Sequence, residues 1–401
     1  MKNLQMIRWF LVSLVFISLS GCMKDEFLDS KSDLLIVLDK KELTGEYKLR
    51  NVNIVLKDSN SNEVSQISVS DPFESVSTMI AYGKYSATLT GEMTQTGESG
   101  ERTVKVMASK QDILVDGPET NFVLELTTSE HKGNFVFEEI FYSGTLTPEG
   151  EEYNGDKYFI LYNNSMDTLY ADGLFIAQSD FQTVTKRDYT PNVMEDAVTS
   201  KQIFMVPGEG QEHRVLPGER FIIATNAINH TEVNASSVDL SNADLEINLI
   251  ESINIDNPGI PNAINISEDL SMENEGFNAY VIGRLEQGKG VEVFKNENAY
   301  TYSYETAEGE EVSSESFKIP NSYILDAVNT SVQDGYAWNV TAGSLDAGWS
   351  FVGKQAGDGE RFGKSIIRKS NGTLENGKPL LSDTNNSTED FTPSVAASLI
   401  K

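Results

Sequence analysis

Apolar residues recur at every second position through the first third of the chain. Val52, Ile54 and Leu56 form one such run, followed by Tyr85, Ala87 and Leu89, by Val104 and Val106, and by Phe122, Leu124 and Leu126. A period of two is that of a half-buried strand, whose successive side chains point to opposite faces. The runs are separated by "KDSNSNE", "GEMTQTGESGE" and "VDGPE", rich in residues whose short polar side chains or free backbone satisfy turn geometry locally. No amphipathic helix interrupts them. The pattern predicts an all-β sandwich over residues 33–129.

The polar stretch "TTSEHKGN" at 127–134 marks a boundary, and a second set of apolar segments follows: "NFVFEEIFYSG" (134–144), "KYFILYNNSMDTLYADGLFIA" (157–177), "LPGERFIIAT" (216–225), "FGKSIIRKSNG" (362–372) and "SDTNNSTEDF" (382–391). In this order they resemble the lamin-tail domain, an immunoglobulin-like sandwich with an acidic first strand, a Y-x-x-L-Y-N strand and an Asp/Asn-rich closing turn. Together with "NAINHTEVNASSVDLSNAD" (226–244) they look like a family of Bacteroidota surface lipoproteins known by a domain of unknown function. That resemblance implies a larger lamin-tail-like sandwich over 130–398. Within the first domain, "YGKYSATLTG" (82–91) resembles the transthyretin-like or carboxypeptidase-regulatory-like sandwiches, which implies a spacer.

Two stretches exceed a compact sandwich, near 178–200 and 248–320. The second contains "DNPGIPNAINISEDLSMENEGFN", with two prolines, many Asn and Asp and little periodicity, and reads as a long surface loop. Loops on a rigid scaffold are where binding surfaces concentrate. Ligand contacts are therefore expected in both insertions, and trimming them is expected to abolish binding with little effect on melting.

The N-terminus has a different pattern: Lys2 and Arg8, an apolar run from Trp9 to Leu19, then Ser20, Gly21 and Cys22. Ten or so apolar residues are too few for a membrane-spanning helix of roughly 20, and suit a secretory signal over 1–21. Leu19 to Cys22 match the lipobox of bacterial lipoproteins, in which the cysteine is diacylated and becomes the first mature residue. Each buried methylene contributes about 0.8 kcal/mol, so several acyl chains anchor durably. Lys24, Asp25 and Glu26 resemble the export signal of Bacteroidota lipoproteins, implying an outer-membrane location facing the cell exterior, with residues 22–32 as lipidated tether. Cys22 is the single cysteine, so its lipidation excludes disulfides, thiol catalysis and thiolate metal sites.

The formal charge is −30, and loss of the first 21 residues takes Lys2 and Arg8 and no acid, leaving −32. Such a field repels phosphate backbones, so no nucleic-acid partner is expected. With 39% hydrophobic and 23% charged residues the chain is compositionally globular, so its acidity does not signal disorder.

Candidate chemistry is sparse. Glu138 and Glu139 are adjacent in a strand and so face apart; one is expected to be solvated, the other to hydrogen-bond an edge or loop. His131, His213 and His230 share no ligand spacing and read as exposed loop residues. No nucleophile-elbow or phosphate-loop motif occurs, and no cofactor is expected. Asp383, Asn385, Ser387 and Asp390 offer the oxygen ligands a hard cation needs, but the same short side chains suit a hydrogen-bonded turn. Tyr300, Tyr302 and Tyr304 alternate and share one face, while Trp338 and Trp349 flank "VTAGSLDAG"; both sets can serve as stacking platforms or as core. The expectation is a non-catalytic surface lipoprotein that binds an extracellular ligand, as an accessory of a TonB-dependent transporter. A fimbrial or adhesin subunit and an extracellular hydrolase are the alternatives.

Overall fold

The alternation in the first third places two sheets face to face. In the computed structural model, which describes residues 31–39, 47–58, 61, 63–70, 75–97, 100–128, 134–247, 255–286 and 288–400, strand Lys31–Asp39 pairs antiparallel with Ser75–Ala81 and parallel with Glu119–Glu125. Opposite this sheet lie Val64–Val69, Tyr47–Asp58, Gly83–Gly97, Gly100–Val115 and Thr127–Thr128, in that spatial order. Leu34, Ile36 and Leu38 from one sheet and Ile54, Leu56, Ala87 and Leu89 from the other fill the space between them. Cys22, Lys24, Asp25, Glu26 and His131 lie outside the described residues.

The larger sandwich has two six-stranded sheets. One runs Leu245–Glu246, Arg220–Ala224, Tyr158–Asn163, Phe135–Phe141, Lys364–Arg368, Phe391–Ala396; the other runs Ile264–Asn265, Gln202–Met205, Leu174–Gln178, Ala279–Arg284, Ile324–Ser331, Ser350–Phe351. Phe137, Phe159, Leu161 and Ile366 meet Ile176, Phe204, Tyr280 and Ile282 in one core. Phe159 sits edge-on to Tyr280, with centroids 5.3 Å apart. The whole described chain is therefore all-β apart from two short α-helices, Val291–Asn298 and Ser387–Asp390, and a few 3₁₀ turns.

The paired glutamates mark an irregularity in the central strand. Its pairing with Tyr158–Asn163 slips between Ile160 and Leu161, so that Glu139 faces Ile160 while Phe137 faces Leu161, and Glu138 is the extra residue of a β-bulge. A bulge resets which side chains point inward. Hence Phe135 and Phe137 enter the core before it, and Ile140 and Tyr142 after it.

The second insertion differs from its reading as surface loop. Ala279–Arg284 is a central strand paired on both sides, with Leu174–Gln178 and Ile324–Ser331. Ala263, Ile266, Leu270 and Met272 before it are buried as well. Because both faces of Ala279–Arg284 are covered, it lacks the alternation that marks a half-exposed strand. After that strand come helix Val291–Asn298 and a hairpin of Ala299–Glu305 with Glu311–Pro320. This hairpin continues onto strand Ala197–Ser200 of the first insertion, Val198 opposite Ile319. The two insertions thus build one three-stranded sheet on the sandwich.

The expectation about trimming changes accordingly. Excising 248–320 removes a central core strand and should leave no folded larger domain. Replacing only the hairpin tip, residues 306–310, should move stability by no more than about 0.5 kcal/mol, as for surface changes generally. Thermal melting of the two variants checks both outcomes.

Candidate functional site

Alternation on Ala299–Glu305 puts Tyr300, Tyr302 and Tyr304 on one face, as read from the sequence, and the face turns toward the first insertion. Thr190 and Ser303 exchange backbone hydrogen bonds of 2.8 Å in each direction, which docks segment 181–190 against the hairpin. On the other side, Trp338 Nε1 donates to the Gln182 and Thr185 carbonyls at 2.8 and 3.1 Å. The clamped segment delivers Phe181 and Tyr189. Their rings stack at 3.6 Å between centroids and 8° between planes, and Tyr189 continues the stack to Trp338 at 6.1 Å and 14°. Tyr302 stands edge-on to both Phe181 and Tyr189, at 5.1 and 5.5 Å, and Tyr304 edge-on to Tyr189 at 5.5 Å.

Phe181 and Tyr302 are buried and form the floor, while Tyr189, Tyr300, Tyr304 and Trp338 are half-buried at the rim. Three cations lie against that rim: Arg187 Cζ is 4.3 Å from the Tyr304 ring centre, Lys186 Nζ 5.8 Å from Trp338 and Lys318 Nζ 5.7 Å from Tyr300. Such contacts contribute roughly 0.5–1 kcal/mol at exposed positions. Burial pushes the Tyr300 phenol up to about 12, and that of Tyr189 further. Both phenols therefore stay protonated at neutral pH, and that of Tyr300 shares a hydrogen bond with the Thr199 hydroxyl. The assembly offers flat aromatic rims beside guanidinium and ammonium groups, suited to holding a ring face with hydroxyl or carboxylate substituents.

Trp349 belongs to a second stack, with Tyr336 at 4.4 Å and 2°, and Phe351 at 5.5 Å. It is fixed by reciprocal bonds with Thr388: its N–H donates to Oγ1 at 3.1 Å, and that hydroxyl donates to its carbonyl at 2.9 Å.

Other residues singled out in the sequence hold the scaffold. Glu138 receives Arg220 bidentately, through Nε at 2.8 Å and Nη2. Glu139, only 1% exposed, accepts from Tyr158 Oη, Ser365 Oγ and the Ser398 N–H at 2.7–2.9 Å, and from the Ser398 hydroxyl. Neither carboxylate is solvated, because the bulge turns both into crevices lined with donors. His230 is buried too, unlike the exposed loop histidine expected: Asn226 O accepts from Nε2 at 3.0 Å, which leaves Nδ1 to accept from Tyr153 Oη at 2.7 Å. Burial lowers its pKa, consistent with a neutral ring. His213 packs edge-on to Phe221 at 5.8 Å.

The four oxygen-bearing residues of 383–390 are divided among different partners. Asp383 and Asp390 flank Arg368 Nη1 at 3.6 and 3.5 Å. Asp390 also accepts from Ser382 Oγ, Thr384 N and Thr384 Oγ1 at 2.8–3.0 Å. Asn385 donates to Ser344 O at 2.8 Å, and the Ser387 N–H and hydroxyl donate to Asp346 at 2.8 and 2.7 Å. Among the described residues no three His, Cys, Asp or Glu side chains converge as a metal-holding set. The segment is a hydrogen-bonded turn ending in the short helix Ser387–Asp390, which Asn386 caps.

The sequence reading missed Phe181, Tyr189 and the three cations. Only "KRDY" at 186–189 hinted at them, by setting two cations beside an aromatic. Nothing local tied it to a hairpin more than a hundred residues away.

Fold and site together define an all-β protein of two sandwiches whose larger one carries an aromatic and cationic face built from two insertions. Residues 216–398 match the family model described as "Protein of unknown function (DUF4876)". A crystal structure of a DUF4876 family protein from Bacteroides thetaiotaomicron VPI-5482 is 23% identical over 91% of this chain and 96% of that one, with a TM-score of 0.58. At that identity the likeness shows a shared fold. The structure of a candidate adhesin from Bacteroides ovatus ATCC 8483 is 10% identical over 77% and 91% of the two chains, with a TM-score of 0.19, at which no common fold follows. No curated protein matches the chain.

Proposed function

We propose that this protein is a non-catalytic binding protein of the outer cell surface, held by lipid on Cys22, with the face built by the two insertions as its binding surface. The observation that carries this reading is the convergence of Arg187 and Tyr189 from the first insertion with Tyr304 and Lys318 from the second, beside Trp338 of the sandwich itself. A scaffold gains nothing in core burial from cations laid over half-exposed rings, whereas a ligand gains a stacking surface and charged donors. The main buried acids are spent on anchoring strands and turns, as Glu139, Asp346 and Asp390 show, which supports binding over hydrolysis. We read the larger domain as lamin-tail-like and the smaller as a spacer that lifts it from the membrane. A TonB-dependent transporter is the partner we propose, with an extracellular nutrient as its ligand.

Mild crosslinking on intact cells tests this. The wild-type lipoprotein should capture a barrel-sized partner, and Arg187→Ala combined with Tyr304→Ala should lower the yield at least tenfold while leaving the melting temperature within a degree or two. Equal yields from both proteins would refute the assignment of the face.

A further inference from the structure

A cleft of about 760 Å³ opens between the two sandwiches, within the roughly 300–1,000 Å³ typical of small-molecule sites. One wall is the outer face of the five-stranded sheet, where Asn53 stands opposite Thr90 and Val55 opposite Thr88. The other wall comes from the turns of the larger domain, with Asn371, Thr384 and Asn386. None of this belongs to the aromatic face.

Three observations set the cleft apart from a chance gap. The four described non-glycine residues with left-handed backbone are Asn51, Asp112, Asn385 and Ser394. Such conformations cost about 1 kcal/mol or more and cluster where function demands them. Asn51 (φ 51°) lies at a β-bulge on one wall and Asn385 (φ 51°) on the other. Outside the cleft, Asp112 (φ 56°) ties its two walls together, accepting Lys84 of its own sandwich at 2.8 Å and Lys186 of the larger at 2.9 Å. Moreover, the lining carries unused hydrogen-bonding capacity: Thr88, Thr90 and Asn371 have no side-chain partner among the described residues, and Asn53, which accepts from Gln66 and Ser68, keeps its amide donors.

The chemistry of the lining selects a ligand class. Glu92, Glu125 and Glu389 outnumber the single ammonium of Lys369, which already donates to the Glu389 carbonyl at 2.7 Å, so anions are repelled. Glu92 is engaged by the Asn51 amide at 3.0 Å. What remains is a set of neutral amides and hydroxyls that both donate and accept, set among the apolar side chains of Val55, Leu89, Val106, Ala108 and Ala347, which matches a ligand that carries many hydroxyl groups on a C–H framework. We propose that this cleft is a second binding site, for a neutral oligosaccharide.

Isothermal titration of the full mature protein with maltohexaose, cellohexaose, xylohexaose and mannohexaose tests it, with hexagalacturonate and hexalysine as charged probes. At least one neutral hexaose should bind saturably. Thr90→Trp and Asn371→Trp, which fill the cleft from opposite walls, should each weaken that binding at least tenfold with unchanged melting, and Thr90→Ala with Asn371→Ala should weaken it severalfold. Arg187→Ala with Tyr304→Ala should leave it intact, which separates this site from the aromatic face. Absence of binding by every neutral hexaose, binding indifferent to both tryptophans, or binding of the charged probes alone would overturn the proposal.

Discussion

Arg368→Met is expected to destabilise the larger domain by about 3–5 kcal/mol, the cost of breaking a buried ion pair from one side. The Arg368 side chain is 1% exposed. It spans the sandwich: Nη2 donates to Asp326 Oδ2 at 2.6 Å, Nε to Phe137 O at 2.7 Å and Nη1 to Ser382 O at 2.9 Å. The same Asp326 oxygen accepts from the Phe137 N–H at 2.7 Å, so one cation links a strand of each sheet to the closing turn. Methionine keeps the stem volume and removes every donor, leaving Asp326 and Asp390 without their cation. Burial already pushes the Asp326 carboxyl above its ordinary value despite that cation. Adding Asp326→Asn to Arg368→Met should therefore recover part of the loss, since no buried charge then stands beside the gap at that end. Urea unfolding followed by tryptophan fluorescence checks this cleanly. Trp338 and Trp349 both lie in the larger domain, and with Trp9 replaced by Phe they are the only tryptophans left to report its unfolding. A loss below about 1 kcal/mol would show that the network carries little.

The second large effect is expected at Asp346, whose carboxylate organises the turn behind Trp349. It accepts from the Asn329 N–H at 2.7 Å and side-chain amide at 2.9 Å, from the Gly348 N–H at 3.0 Å, and from the N–H and hydroxyl of Ser387 at 2.8 and 2.7 Å. Asp346→Asn replaces one acceptor oxygen with donors aimed at donors, which should cost about 2–4 kcal/mol given 1–3 kcal/mol per buried unsatisfied group. The pH dependence has a definite sign. Burial raises the Asp346 carboxyl from 3.8 to about 6, so between those values the folded protein holds a proton that the unfolded chain has released. The stabilisation this gives is complete below about pH 3.8 and lost as pH climbs through 6. Asparagine cannot titrate, so the deficit of Asp346→Asn relative to wild type should be larger at pH 5 than at pH 7. A deficit that grows toward neutral pH would mean the carboxylate is held ionised by its five donors.

Much of this fold is legible in the residues because half-buried strands declare themselves by alternation. Val52 to Leu56 and Tyr85 to Leu89 read directly as inner faces of the first sandwich. In "FVFEEIF" the inward parity changes at the glutamates, a mark of the bulge at Glu138 that reading the pair as regular strand neighbours passes over. What escapes reading is burial on both faces. Ala279–Arg284 carries no charged position before Arg284 at its end to mark an outside, and it follows a proline- and asparagine-rich stretch that imitates a loop. Long-range assembly is equally silent: pairing of Ala197–Ser200 with Glu311–Pro320 joins segments more than a hundred residues apart. The shared face of three tyrosines could be read from their spacing, but neither the Phe181–Tyr189 stack packed against them nor its pairing with the hairpin follows from any local pattern. Polarity also misleads where a fold buries it, as at Glu139 and His230, since a sequence shows the charge and not the donors that will surround it.

The central claim is that two insertions meet to form the surface through which this protein binds. Photo-crosslinking on intact cells, with a photoreactive residue placed singly at positions 187, 304 and 149, tests it most directly. Discrete adducts from 187 and 304, with none from the exposed turn at 149, are the expected result; adducts from 149 alone, or equally from all three positions, would contradict it.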